Sequence, residues 1–273
     1  MGFFRNLFSN DSDSQTKATK TKHTEKWATY LTTINEGFPG SIVTDLGLKD
    51  IAPIPSYNQL LEVEIKASNP GENGLPDSQE IEKLNVIQEL LVSELNKTHR
   101  SIFAGHLISE GRITCFFYLS GADGVPEIVD KVMMSFPERL FAKQISSEPG
   151  WNTYLDFLYP EPIHLQSIAN MSVVMNLIEQ GDRLEVPRRV DHWAYFPDEE
   201  SRRKFADHVK KGNFSIEPYQ PPIEPDSKMP YGIKFYRDDK VDHQSVDDYI
   251  LPLWQAAKDL GGEYDGWETF IVK

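Results

Sequence analysis

The sequence predicts an α+β fold of two ferredoxin-like units, each an antiparallel sheet in β-α-β-β-α-β order, the first with an extra N-terminal β-hairpin. Three observations predict it. Leu61, Val63 and Ile65 alternate with Glu62, Glu64 and Lys66, the signature of a half-buried strand. Ile81, Leu84, Ile87, Leu91 and Leu95 recur at helical spacing, as do Val246, Tyr249, Ile250, Leu253, Trp254, Ala257 and Leu260. The order strand-helix-strand-strand-helix-strand is read once from residue 60 and again from residue 190.

Residues 1–26 are expected to form a flexible leader, of which Ser9 to Lys26 is rich in Ser, Thr, Asp and Lys. Within it, Met1 to Phe8 is too short for a signal-peptide core. Residues 27–150 are expected as the first domain. Trp27 to Ile34 and Ser41 to Leu46 read as strands around a turn with Gly37, Pro39 and Gly40. Leu60 to Ala67 follows, then a helix opened by Asp77 with Glu80 three residues on, as in a capping box. Ser101 to Ser109 and Arg112 to Leu119 form a hairpin about Glu110-Gly111. Pro126 suits the first turn of a helix burying Val129, Val132, Met133 and Phe136. Leu140 to Ile145 is the last strand.

Residues 151–181 are expected as a linker and bridging helix, with the helix over Ile163 to Glu179. Residues 182–273 form the second domain. Val190 to Phe196 is a strand, and Asp198 caps a helix through Lys211 with Gly212 as its C′ residue. Phe214 to Glu217 and Tyr231 to Arg237 are strands flanking a proline-rich loop. The helix with the Val246 stripe stops at Gly261-Gly262, and Pro252 should kink it or mark its true start. Tyr264 to Val272 is the final strand.

Composition narrows the function classes. The net charge is −14, with 14 basic and 20 acidic residues in 1–150 and 14 and 22 in 151–273. Neither half is basic, which argues against direct nucleic-acid binding through phosphates and suits a basic partner. Cys115 is the only cysteine, so no intramolecular disulfide or thiolate zinc site is possible, and a cytoplasmic home is expected. No apolar run is long enough to span a membrane as a helix. Glycine-rich phosphate loops, HExxH, Gly-x-Ser-x-Gly and RNA-reading aromatic motifs are absent, so no catalytic residue, metal or cofactor is assigned.

Two segments carry family resemblances. Val190-Asp-His-Trp-Ala-Tyr-Phe196, Asp198-Glu-Glu200 and Gly262-Glu-Tyr-Asp-Gly-Trp-Glu-Thr-Phe270 make residues 190–273 resemble the ribonuclease-E-inhibitor family (regulator of RNase activity, type B). Glu36-Gly-Phe-Pro39, Asn73-Gly-Leu-Pro76 and the strands around Gly111-Arg112 make residues 27–148 resemble a bacterial family, domain of unknown function 695. The first resemblance implies a non-catalytic protein that binds the non-catalytic region of ribonuclease E and restrains RNA decay. The chain departs from the short inhibitors in its large N-terminal domain and its proline-rich loop.

The residues expected to meet that partner are Asp191, His192, Trp193, Tyr195, Tyr264, Asp265, Trp267 and Glu268. Trp193 and Tyr195 would cluster with Trp267 and Ile271 if they share a face, with Trp267 as the aromatic anchor. Asp191, Asp265 and Glu268 would meet basic groups. A different class is a small-molecule enzyme or sensor using a cleft between the domains, lined by His192, Tyr264 and Glu268. Taken as a residue in its own right, His192 is expected to be structural rather than a base or ligand. Arg188-Arg189 and Arg202-Arg203-Lys204 are expected as solvated or locally paired charge.

Overall fold

A computed structural model describes residues 23–34, 37–98, 100–218 and 228–273, and the described chain divides into compact units over 23–164 and 165–273. The N-terminal part of the leader and most of the proline-rich loop therefore lie outside the described residues.

The first unit contains β1 (Trp27–Ile34), β2 (Phe38–Asp45), β3 (Gln59–Lys66), α1 (Ser78–Thr98), β4 (Ser101–Ser109), β5 (Arg112–Leu119), α2 (Val125–Met133) and β6 (Phe141–Ser147). Its sheet order is β1-β2-β4-β5-β3-β6, antiparallel throughout. Counting from β3, the order β6-β3-β5-β4 is the ferredoxin order 4-1-3-2, and the hairpin β1-β2 extends it beyond β4. Leu61, Val63 and Ile65 are fully buried and pack with Leu84, Ile87, Leu91 and Leu95 of α1 and Val129 and Met133 of α2. The stripe read from sequence is the face that makes this core.

The start of α1 differs in one respect from a capping box. Asp77 accepts a hydrogen bond from the Glu80 amide at 2.8 Å, as an N-cap should. The Glu80 carboxylate, however, accepts from the Ser68 amide at 2.7 Å and pairs with Arg139. Both side chains of that pair are buried, so it is an interior ion pair.

β5 is buried on both faces. Phe116 and Tyr118 point away from the helices, where Trp151 and Tyr154 contact Tyr118 and the Phe157 ring lies 6.1 Å from that of Phe116. Trp151 stacks on Tyr118 at 3.8 Å between ring centres and donates to the Tyr57 carbonyl at 2.7 Å. Glu148 accepts from the Tyr118 hydroxyl (2.6 Å) and the Thr153 amide (2.9 Å), fixing the start of a π-helical segment, Thr153–Leu158. Tyr154 then donates to the Asp45 carbonyl at 2.8 Å. Residues 148–158 thus form a third layer over the first sheet.

The second unit takes in most of α3 (Pro162–Glu179), then β7 (Arg188–Phe196), α4 (Glu199–Lys211), β8 (Ser215–Ile216), β9 (Tyr231–Asp239), α5 (His243–Asp259) and β10 (Glu263–Thr269). The order β10-β7-β9-β8 is again 4-1-3-2 and antiparallel. Val190, Ala194 and Phe196 of β7 and Ile233 and Phe235 of β9 pack against Phe205 and Val209 of α4 and Val246, Ile250, Leu253 and Ala257 of α5. Asp198 and Asp242 cap α4 and α5 through the Ser201 and Ser245 amides.

Local expectations shift in three places. Asn213, not Gly212, takes the left-handed C′ position after α4, with φ 63°. Hydrogen bonds from Phe214 N to Val209 O (3.1 Å) and from Asn213 N to Lys210 O (3.1 Å) complete a Schellman motif. Pro252 lies inside α5, nine residues after its first residue His243, so it does not begin the helix. β10 ends at Thr269, which leaves Phe270 to Val272 beyond the sheet.

Candidate partner-binding face

β7 alternates without interruption. Arg188, Val190, His192, Ala194 and Phe196 are buried, while Arg189, Asp191, Trp193 and Tyr195 are half-buried on the opposite face. β10 pairs with it so that Tyr264 opposes Ala194, Gly266 opposes Trp193, Trp267 opposes His192 and Glu268 opposes Asp191. The register slips by one residue between Tyr264 and Gly266, a β-bulge that accommodates Asp265. Residues three apart on a regular strand face opposite ways. The bulge cancels that, and Tyr264 and Trp267 both turn toward the helices.

Trp267 is therefore a core residue, 2 % exposed. Its indole donates to Asn170 Oδ1 at 3.2 Å. Asn170, buried on α3, in turn donates to Asp247 of α5 at 2.7 Å, and the Ser167 hydroxyl reaches the same carboxylate. One polar knot ties β10, α3 and α5 together. The expected cluster of Trp193 and Tyr195 with Trp267 and Ile271 does not form, because Trp267 is on the other face and Ile271 lies past the strand end.

His192 and Tyr264 are likewise interior. Their Nδ1 and hydroxyl share a hydrogen bond of 2.8 Å. Phe214, Phe235 and Tyr249 surround the imidazole, whose Nε2 has no hydrogen-bond partner among the described residues. Burial, with Arg237 adding to it, pushes the imidazole down to about 3, so it stays neutral. Burial also raises the Tyr264 phenol well above its ordinary value. This is a structural histidine. Glu268 is exposed beside Asp191, on the face opposite His192, so His192, Tyr264 and Glu268 do not line one cavity.

The open face of the second sheet gathers what remains. Pairing places Glu263 beside Tyr195, Glu268 beside Asp191, Trp193 beside Lys234, Asp191 beside Tyr236 and Arg189 beside Asp238. Lys234 Nζ sits 4.8 Å from the Trp193 ring centre, and the Arg189 guanidinium lies 3.7 Å from that of Tyr236. Arg189 also binds Asp191 at 2.7 Å and Glu217. Both cations of the face are thus engaged by aromatic rings and carboxylates of the same sheet. Glu263 and Glu268 add exposed negative charge, giving three aromatic rings in an acidic setting.

Arg188, by contrast, is not surface charge. It is buried against Asp182 and donates to the carbonyls of Arg183 (2.7 Å) and Phe270 (3.2 Å). Burial alone would raise the Asp182 carboxyl, but hydrogen bonds from Arg188 and the Val272 amide outweigh it and hold the group below its ordinary value. Arg202 and Lys204 pair locally with Glu199 and Glu200.

In the first unit, three segments quoted from the sequence converge. Phe38 and Pro39, Asn73 and Gly74, and Gly111 and Arg112 line an open cavity of about 430 Å³. Gly74 has φ 81°, and a Cβ there would meet the Glu110 backbone at 3.1 Å, so the turns close up only with glycine. Glu36 lies outside the described residues. Among the described residues no three His, Cys, Asp or Glu side chains come together to hold a metal ion. No described helix is long and apolar enough to cross a membrane.

No curated protein matches the chain. Among solved structures, an unknown protein from Galdieria sulphuraria matches at 8 % identity, covering 78 % of this chain and 99 % of that one, with a TM-score of 0.23. A putative glycine cleavage system transcriptional repressor matches at 10 %, covering 78 % and 98 %, with a TM-score of 0.20. A VAO-type flavoprotein from Myceliophthora thermophila matches at 11 %, covering 76 % and 39 %, with a TM-score of 0.25. Scores this low carry no argument about fold or activity. Two family models match the chain in tandem: a family of unknown function (DUF695) over residues 25–159, and regulator of ribonuclease activity B over residues 167–269.

Proposed function

We propose that the chain is a non-catalytic, cytoplasmic protein-binding regulator of RNA turnover, and that its second unit binds a basic segment of a ribonuclease E-type nuclease. The family match over residues 167–269 supports regulation of RNase activity. The observation that carries the binding site is the acidic, aromatic open face of β10, β7 and β9. Aromatic anchors ringed by charge suit a partner segment with Arg or Lys, which stacks on rings and pairs with carboxylates. Trp193, Tyr195, Asp191 and Glu268 are the contact residues, with Asp265 beside them on the bulge. His192, Tyr264 and Trp267 hold that face in shape from behind.

The test uses a purified ribonuclease E-type nuclease and the full chain, with binding measured by calorimetry and nuclease activity on a structured RNA. Trp193→Ala is expected to stay folded and weaken binding by about 1–3 kcal/mol, the usual range for an aromatic anchor. Added salt should weaken the wild-type complex as well. Unchanged affinity in a folded Trp193→Ala chain would remove this face from the reading. No binding to the nuclease at any salt concentration would remove the partner.

A further inference from the structure

A surface helix normally shows water a charged side. α3 has none. Residues 162–179 contain no Lys or Arg, and the one carboxylate, Glu179, is the last residue. One face of the helix is committed to the second unit's core through Asn170, Val174 and Leu177. Another is apolar and open: Met171, Met175 and Ile178 are 36 %, 47 % and 46 % exposed, and Ile168 is half-buried.

The spacing of these four residues is informative. Ile168, Met171, Met175 and Ile178 are separated by three, four and three residues, the a/d spacing of a coiled-coil seam. The order Ile-Met-Met-Ile is also a palindrome in both residue type and spacing. A two-fold axis through the middle of α3, running two copies antiparallel, lays Ile168 on the second copy's Ile178 and Met171 on its Met175. A two-fold interface requires a patch that complements itself, and this one does. We infer that the chain forms a homodimer through an antiparallel pairing of α3 with α3.

Charge points to the same occupant and the same direction. Two chains of net charge −14 repel unless they meet where neither carries charge, and the seam is such a place. Parallel pairing would set the two Glu179 carboxylates side by side. Antiparallel pairing brings each Glu179 opposite the other copy's Ser167, about 18 Å along the axis from its counterpart at 1.5 Å per residue. The two methionines at the centre are adaptable, which lets a seam of only about 15 Å pack without voids.

The full chain should sediment as a dimer in analytical ultracentrifugation, and Met171→Glu/Met175→Glu should shift it to the monomer mass with an unchanged circular dichroism spectrum. The direction is tested with a short bis-thiol crosslinker. Ile168→Cys/Ile178→Cys should give a covalent dimer, whereas each single variant should link several-fold less. Wild type serves as the control, since Cys115 is buried. A chain that stays monomeric up to about 0.1 mM overturns the proposal. So does a dimer that survives the two glutamates, or single variants that link as well as the double. If the wild type is monomeric and the glutamate variant instead loses the nuclease, α3 is a partner face and the dimer is wrong.

Discussion

Trp193 and Trp267 sit on neighbouring strands, yet their surroundings assign them opposite jobs. Removing the Trp267 side chain leaves a cavity among β10, α3 and α5 and takes one of two donors from the Asn170 amide oxygen, which keeps Gln166 at 3.1 Å. Trp267→Ala is therefore expected to cost about 3–5 kcal/mol of stability, read as a lowered urea midpoint. Trp193→Ala, on the open face, should cost about 1 kcal/mol or less. Equal losses would show that both faces are packed. Glu80 and Arg139 make a second contrast. Glu80→Ala leaves a buried guanidinium with only the exposed Glu138 carboxylate, 3.8 Å away, and should cost about 3–5 kcal/mol in the first unit. A change within experimental error would show that water reaches the pair.

Two histidines give the chain a predictable response to acid. His192 is pushed down to about 3 and His106 to about 4 by burial, against an ordinary value of 6.5. Below pH 6.5 the unfolded chain takes up protons at both positions and the folded chain does not. The unfolded state then binds more protons, so stability falls as pH drops from about 6.5 toward 4, by about 1.4 kcal/mol per pH unit for each histidine. Denaturant curves between about pH 7 and about pH 5 measure this, and His192→Phe should flatten the slope of the second unit. An unaltered slope would mean that other groups set it.

At the scale of elements, the legible parts of the sequence were those written as periodic patterns or caps. The stripes of α1 and α5, the alternation of β3 and the caps Asp77 and Asp198 lead straight to the observed elements. Three features left no such trace. The π-helical segment has no repeat, and its anchors Trp151 and Tyr154 look like scattered aromatics. The Glu80–Arg139 pair joins residues far apart in sequence. The bulge at Asp265 is signalled only by Asp265-Gly266, which reads equally well as a bend, and missing it put Trp267 on the wrong face. The end of α4 supplies a test of local detail. Asn213 holds a left-handed conformation, so Asn213→Gly should be neutral or slightly stabilising, while Asn213→Val should lower the melting temperature by the equivalent of about 1–2 kcal/mol. If Val and Gly behave alike, the Schellman turn is not formed in solution.

Across the whole molecule, the same topology appears twice with its second face treated differently. The first sheet is covered on both sides, by α1 and α2 and by residues 148–158. The second is covered by α4 and α5 on one side and leaves Trp193, Tyr195 and Tyr236 half-exposed on the other. The two cores share no residue: one draws on residues 61–133 and the other on 174–267. We therefore expect residues 160–273 expressed alone to fold cooperatively and to keep the nuclease-binding activity proposed for the full chain. A fragment that is soluble only with the first unit attached would refute this.

The bulge in β10 has a consequence for how the chain tolerates change in length. Along that strand, inside and outside are told apart by counting, and Asp265 is the uncounted residue. Deleting it would leave Tyr264 and Trp267 two residues apart, so strict alternation alone would point both inward in the register they already keep with Ala194 and His192. Substitutions at Glu263, Asp265 or Glu268 alter only what the strand offers to solvent, and even the loss of the Asp265 codon would spare the second unit's core, removing the bulge and leaving the remaining pairs as they are.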